Sequence, residues 1–569
     1  MIRVGYRAQK TGVIYADTNA KYNMQQAAAN GIKVGVYFFS SAVNEAEAIE
    51  EADWVADFIA DYSITYPVAF DCEGFNTSES RQKSMTKAER TDVAVAFLQE
   101  IYDKGYTPMF YAACSELTNN SQWNIASLEK SFRPMIVELR KFKKQATNPF
   151  AICVERQNGY RYRYDMNVFP GDNAENYEMI ERVIKSILWV VGGFKIYLGG
   201  HDGIVKKMQE VFSLNGTRKF DVDFMSRVYD KPFEVIACSL QDVPSSVEAS
   251  LPAGGHLEGC RIGFDAGGSD RKVSAVVNGE VIHSEEVVWF PKVNEDPDYH
   301  YAGILDSFRR AAAKMPRVDA IGVSSAGIYI DNEVRVASLF IKVPQDLFDE
   351  KVRNMYIRAA KEIGDVPLTV ANDGDVTALA GALSLKDGRV LGIAMGTSEA
   401  VGYVNKDGNL NGWLSELAFV PVDYNKGAMV DEWSGDYGCG VKYFSQDSVI
   451  KLAGFAGIEL DENASPAEKL KVVQELMKEH DPRAKEIYEN IGVYLGYSIA
   501  YYAEFYDIKY LLLLGRVTSG EGGDIIIAKA NEVLKSEFPE YKDITIMMPD
   551  EWTRRVGQSI AAASLPETK

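Results

Sequence analysis

Cysteine and histidine are scarce in this chain, six and five residues among 569. The cysteines (Cys72, Cys114, Cys153, Cys238, Cys260 and Cys439) are scattered and never spaced as CxxC. Neither a thiolate zinc site nor a disulfide framework is signalled. No HExxH arrangement exists, which excludes that metalloprotease signature. Cations are also in deficit, with 61 Lys and Arg against 81 Asp and Glu and a net charge of −20. A polyanion would be repelled, so nucleic acid is excluded as a partner. A phosphorylated ligand would need local positive charge or a metal. No apolar run is long enough to span a bilayer, and the charged strand-like segment after Met1 gives the expectation of no leader peptide. The expectation is a cytoplasmic protein with no membrane partner.

What is present is an ordinary globular composition, 46% hydrophobic and 25% charged. The length suggests roughly three or four units. The acidic run Glu45 to Glu51 reads as a solvated helix face. The most informative stretch is residues 261–277, RIGFDAGGSDRKVSAVV. An apolar run reaches Asp265; Gly267, Gly268 and Ser269 follow; then a second β-rich run begins. Glycines at such a turn let backbone N–H groups approach an anion. An acid at the strand end can hold Mg²⁺ through water. Alone, this motif is better explained by a plain hairpin, because short glycine motifs recur by chance.

Residues 1–130 alternate strand and helix. Strands are expected at Ile2–Tyr6, Lys33–Phe39, Tyr66–Asp71 and Thr107–Ala112, with helices near 22–30, 44–62 and 87–104. That rhythm predicts parallel βα units. The third strand ends in Asp71-Cys72-Glu73, and i and i+2 share a strand face. Two adjacent carboxylates raise each other's pKa and suit acid/base chemistry, although in isolation two solvated acids at a strand end are the better reading. The segments VGVYFFSSA, YPVAFDCEG and MFYAACSELTNNSQWNIASLEK resemble family 25 glycoside hydrolases, the muramidases that cleave peptidoglycan glycan. The resemblance implies Glu73 as general acid and Asp71 as its partner at the anomeric centre. It places Tyr37 and Tyr111 in the aromatic lining of the cleft. The family's first strand, bearing another catalytic aspartate, and the strands after Ser131 have no counterpart. About four of eight barrel strands are expected, leaving two unpaired edges and an uncovered face. The expectation is a vestigial or fused fragment with weak or no muramidase activity.

Residues 131–260 read as a small α/β segment. It has a basic junction at Arg140–Lys144, a hairpin over 150–169 turning at Asn158-Gly159, helices at 174–190 and 203–213, and a strand at 194–198. No recognition-helix pattern is visible, and His201 reads as a loop residue. The segment would cap the following domain or extend its first lobe.

From 261 onward the order βββαβαβ occurs twice. Strands at 261–266, 271–277, 280–289, 318–323 and 366–370 alternate with helices at 302–314 and 347–363. Strands at 390–395, 399–404, near 417–422, 509–514 and 543–547 alternate with helices at 466–478, 483–505, 524–537 and 553–563. Two lobes would face each other, with ligands at strand C-terminal ends. The order and turns resemble the actin/hexokinase/Hsp70 ATPase superfamily and, within it, the ROK group of sugar kinases and regulators. The resemblance implies that Asp265, Gly267, Gly268 and Ser269 match the DxGGT turn that meets ATP phosphates. Gly396, Thr397 and Ser398 match the second phosphate turn, and Gly515 the adenosine turn. Asp373 matches the general base that takes the sugar hydroxyl's proton, and Asn372 and Glu416 the sugar ligands. The helix dipole is expected to favour the ionised form of Asp373. The chain departs from the family pattern at Ala418 and Phe419, where E-x-G-H has glycine and histidine, and in keeping only Cys439 of the CxCGxxGC cluster. No structural zinc is expected. Val323 to Gly327 replace the G-x-P-G sugar loop, and Arg516 replaces a glycine at the adenosine turn.

The expected fold class is α/β, a two-lobed actin-like ATPase (RNase H-like) fold preceded by a partial (βα)8-barrel fragment. The domains are 1–130, 131–260, 261–385 and 386–569. The expected function is ATP- and Mg²⁺-dependent phosphorylation of a sugar or polyol hydroxyl. The alternatives are a non-catalytic sugar-sensing regulator and a peptidoglycan-cleaving lysozyme. A homodimer is left open.

Overall fold

The computed structural model describes residues 1–112, 123, 128–129, 131–248, 254–549 and 557–568. The expected helix at 553–563 lies partly outside the described residues, as does most of the Ala113–Lys130 part of the muramidase resemblance. The chain forms two compact units, Met1–Ser127 and Leu128–Lys569.

Unit 1 is a five-stranded sheet of order β2-β1-β3-β4-β5, comprising β1 (Ile2–Arg7), β2 (Ile14–Ala16), β3 (Val36–Phe39), β4 (Val68–Asp71) and β5 (Pro108–Tyr111). β1, β3, β4 and β5 are parallel, as the strand–helix rhythm requires. One face carries Val4, Val36, Phe38, Val68 and Phe70 against Val55, Ile59, Val93, Phe97 and Ile101 of the helices. Those helices begin at side-chain caps, Asn44 on Glu47 N–H and a Thr86–Glu89 capping box. The opposite face presents Tyr37, Phe39, Asp71 and Tyr111, with Tyr111 half exposed at 50%. The expectation of two unpaired parallel edges is corrected at one of them. β2 folds back antiparallel on β1 in register Gly5–Ala16 and satisfies that edge.

Unit 2 holds three larger sheets. The first has the order β7-β6-β8-β9, built from β6 (Asn148–Glu155), β7 (Arg161–Val168), β8 (Lys195–Gly199) and β9 (Glu234–Cys238). β9 and the helix Lys219–Tyr229 were not expected, and Arg140–Lys144 lie within the helix Met135–Gln145. The helix Ala174–Val190 is buried along nearly its whole length, and its core is continuous with that of residues 386–546.

The second sheet has the order β12-β11-β10-β13-β16, built from β10 (Cys260–Ala266), β11 (Asp270–Val277), β12 (Glu280–Val288), β13 (Ala320–Ser325) and β16 (Leu368–Asn372). β14 (Ile328–Ile330) and β15 (Glu333–Val336) form a small hairpin beside it. The third sheet has the order β18-β17-β19-β20, from β17 (Val390–Met395), β18 (Glu399–Val404), β19 (Tyr510–Leu514) and β20 (Thr545–Met547). Each of these two sheets is an antiparallel meander or hairpin continued by parallel strands, in the order the two repeats require. The second repeat is shorter than expected, because 417–419 is a 3-10 turn and not a strand. The helix expected at 347–363 is interrupted by a π-helical turn at Phe348–Val352.

The terminal helix Gln558–Ala563 lies on β10 and β13, not on the third sheet. Glycines make this possible: a Cβ on Gly263 would stand 2.0 Å from Ser559 O, and one on Gly322 would stand 1.7 Å from Ala562 O. Among the described residues no helix is long and apolar enough to cross a membrane.

Candidate functional site

β10, β13 and β16 run parallel and end together, with Ala266 beside Ser325 and Ser325 beside Asn372. Asp265 therefore sits at the rim of the sheet, where Ser324 Oγ donates to its Oδ1 at 2.8 Å. Burial pushes its carboxyl up to about 6; the Ser324 bond opposes this and the charge of Asp373 adds to it. Asn372 closes β16 and caps the helix Asp373–Leu385, accepting from Gly374 N at 2.7 Å and donating to Gly327 O at 2.8 Å. Asp373 is thus the first residue of the helix, and the cap itself is Asn372. The expectation that the helix end keeps Asp373 readily ionised is corrected. Its carboxyl is raised because burial outweighs the Gly374 N–H and the charge of Lys292.

The Gly267–Ser269 turn is fastened to the segment after β12. Trp289 Nε1 donates to Gly267 O at 2.8 Å, and Trp289 N donates to Ser269 O at 3.1 Å. Ser269 Oγ is engaged by Asp270 Oδ2 at 2.9 Å. A Cβ on Gly268 would lie 3.0 Å from Lys292 Cε and 3.2 Å from its Nζ.

Gly396, Thr397 and Ser398 make the β17–β18 turn, closed by Gly396 N on Ser398 O at 3.0 Å, with Thr397 and Ser398 exposed. Gly515 follows the parallel neighbour β19 at φ +95, and a Cβ there would meet Met395 O at 2.2 Å. The Gly396 and Gly515 turns therefore abut at Met395.

The second and third sheets approach at the start of the Asp373 helix, where a Cβ on Gly374 would stand 2.3 Å from Val401 O of β18. Tyr403 N donates to Asp375 Oδ1 at 3.2 Å. Glu416, pushed up to about 7 by burial, feels the charges of Asp373 and Asp375. Asp265, Asp373 and Glu416 thus form one electrostatic group, with the Gly267 turn linked to it through Lys292. Sequence reasoning missed Lys292, Asp375 and Glu399. Glu399 is 4% exposed, neither of its carboxylate oxygens has a hydrogen-bond partner, and burial beside Glu416 holds it well above the usual range. The only signal for Glu399 was an acid one residue beyond a glycine turn.

Among the described residues no group of three or more His, Cys, Asp or Glu could hold a metal. Asp265 nonetheless fits a Mg²⁺ that completes its shell with water and substrate phosphate, since such an ion relieves the repulsion that the charge of Asp373 exerts on it. Where the family pattern has its cysteine cluster, the Cys439 thiol is buried and pushed up to about 11. Beside it, Asp436 receives Arg182 and Lys185 at 2.7 Å and Arg218 at 2.8 Å.

In unit 1, Asp71 lies in register with Phe39 and Tyr111, and Tyr37 with Ala69 on the same face. Asp71 Oδ1 is buried without a partner, and burial, then Glu73, lifts the carboxyl to about 6. β4 ends at Asp71, so Glu73 lies exposed beyond it and the strand-face argument does not reach Glu73.

Residues 4–134 match the family model Glycosyl hydrolases family 25. No curated protein matches the chain. Solved structures similar to the remainder are ROK proteins. The ROK hexokinase from Thermus thermophilus is 16% identical, with a TM-score of 0.43 over 53% of this chain and 97% of that one. A ROK glucokinase from Streptomyces griseus, in complex with glucose and AMPPNP, is 19% identical, with a TM-score of 0.39 over 53% and 98%. A ROK family transcriptional regulator, homolog of E. coli MLC, is 17% identical, with a TM-score of 0.41 over 54% and 79%. The family 25 segment thus covers the first unit, and the second unit is an α/β structure of three larger sheets.

Proposed function

We propose that unit 2 is an ATP-dependent kinase acting on a sugar or polyol hydroxyl. The observation that carries this reading is the carboxyl pair Asp265 and Asp373 at the ends of β10 and β16, one beside a glycine turn and one opening a helix. Phosphoryl transfer asks the protein for positioning, charge neutralisation and an acceptor for the hydroxyl proton. Asp373, with its raised carboxyl, is suited to accept that proton. Asn372 and Glu416 would orient the acceptor. The N–H groups of Gly267–Ser269 and Gly396–Ser398 would meet the triphosphate, and Gly515 would border the adenosine. Mg²⁺, held through Asp265, would supply charge neutralisation at the phosphates.

The test is sugar-phosphate formation from ATP over a panel of hexoses, amino sugars and polyols. Asp373→Ala should lower kcat at least about 10²-fold, the usual contribution of a general base. A wild-type protein that binds sugar without turning over would instead be a sensor.

We infer that unit 1 is a barrel fragment without muramidase turnover. Four parallel strands and an exposed Glu73 outside its strand support this. The full chain should not clear a peptidoglycan suspension. Clearing that disappears in Glu73→Gln would refute the inference.

A further inference from the structure

We propose that Lys292 is the cation that receives the terminal phosphate of the nucleoside triphosphate and holds it toward Asp373. This rests on the kinase reading above and adds to it a residue for which the sequence carried no motif.

A chain of net charge −20 repels a triphosphate, so its binding site needs a local cation. The two turns supply none: Gly267, Gly268, Ser269, Gly396, Thr397 and Ser398 are uncharged. Of the cations that follow the first turn, Arg271 is paired with Asp306 at 3.2 Å and Lys272 with Glu286 at 3.3 Å. Lys292 lies across the first turn, with Nζ 3.2 Å and Cε 3.0 Å from the point a Gly268 Cβ would occupy. A side chain at 268 would crowd the end of the lysine and make it shift. Among the described residues its ammonium forms no ion pair or hydrogen bond, while its charge reaches Asp373. It therefore lies at the phosphate turn with its charge felt at the proposed base.

The placement is built, not incidental. The backbone entering the segment is tied to the turn by both Trp289 bonds. Phe290 N is held by Tyr299 Oη at 2.9 Å, and Phe290 O by Asn294 Nδ2 at 2.6 Å. Pro291 is buried, its carbonyl is bonded to the ring of buried His300 at 2.9 Å, and it opens the single 3-10 turn that carries Lys292. These contacts fix the backbone that carries Lys292 beside the Gly267–Ser269 turn. An ammonium so held is a point charge of the kind phosphate sites use, without the bidentate geometry of arginine.

The test is calorimetric titration of the full chain, with Mg²⁺, by AMPPNP and by AMP. Lys292→Met should weaken AMPPNP about 10- to 100-fold, as loss of a charge-assisted contact does. AMP, which has no terminal phosphate, should be unchanged within about twofold, and Lys292→Arg should recover most of the AMPPNP affinity. Equal affinity of wild type and Lys292→Met for AMPPNP overturns the proposal. So does an equal loss for AMPPNP and AMP, which would mark a structural role. A wild-type protein that binds neither nucleotide removes the kinase reading itself, a result distinct from both. Lys292 is exposed, so the variant should fold, which circular dichroism checks.

Discussion

Asp436→Asn should loosen the helix Ala174–Val190 far more than a neutral, isosteric change on a surface would. In the native chain Asp436 is 6% exposed and is met by Arg182, Lys185 and Arg218, which are 1%, 0% and 8% exposed. Glu181 and Asp221 share the same cations, with Arg218 bonded to Glu181 and Lys185 Nζ 3.9 Å from Asp221. Removing one partner of a buried pair costs roughly 3–5 kcal/mol, because the opposing charge stays buried. Two carboxylates remain here, so the lower end, about 3 kcal/mol, is expected. Amide exchange along that helix, if it proceeds by local opening, should then speed up about 100-fold, read by hydrogen–deuterium exchange on the full chain. The three cations hold the Asp436 carboxyl far below the usual range. Its contribution is therefore complete above its unfolded value near pH 4 and is lost only as pH falls toward the much lower folded value. Exchange rates that change less than about threefold would refute the claim that this ionic cluster fastens the helix. So would a double variant, Arg182→Met with Asp436→Leu, that is no better than additive.

Two further outcomes follow from the same reasoning. Gly322→Ala should destabilise unit 2 by at least about 1–3 kcal/mol in chemical denaturation, because its methyl would stand 1.7 Å from Ala562 O and force the terminal helix off β13. Asp71→Asn should stabilise unit 1 by about 1–3 kcal/mol at pH 7.5. The Asp71 carboxyl is raised to about 6 in the folded chain, so its ionisation opposes folding as pH rises from 4 toward 6 and fully so above 6, and the gain should vanish at pH 4.

The strands and glycine turns were legible because their signals are local. Apolar runs ending at Asp265, Asn372 and Met395 marked β10, β16 and β17, and the turn residues followed directly. The β2 hairpin was missed because three half-exposed residues carry too short an alternation. The supposed strand near 417 became a 3-10 turn because Glu416 is tied through its backbone to Trp189 O, a partner 227 positions away by the difference of the two numbers. Lys292 was illegible for the same kind of reason. Nothing in Pro291-Lys292-Val293 announces that Trp289 will fold it onto Gly268.

From residue order alone came the alternation of elements, the acids at strand ends and the excess of negative charge, all of which depend on neighbours a few positions apart. Which carboxyls share a field, which cation leans over a glycine, and how three basic side chains gather on Asp436 were decided only in three dimensions. Burial and long-range contacts set the strength of those charges, and neither is encoded at any single position in the chain.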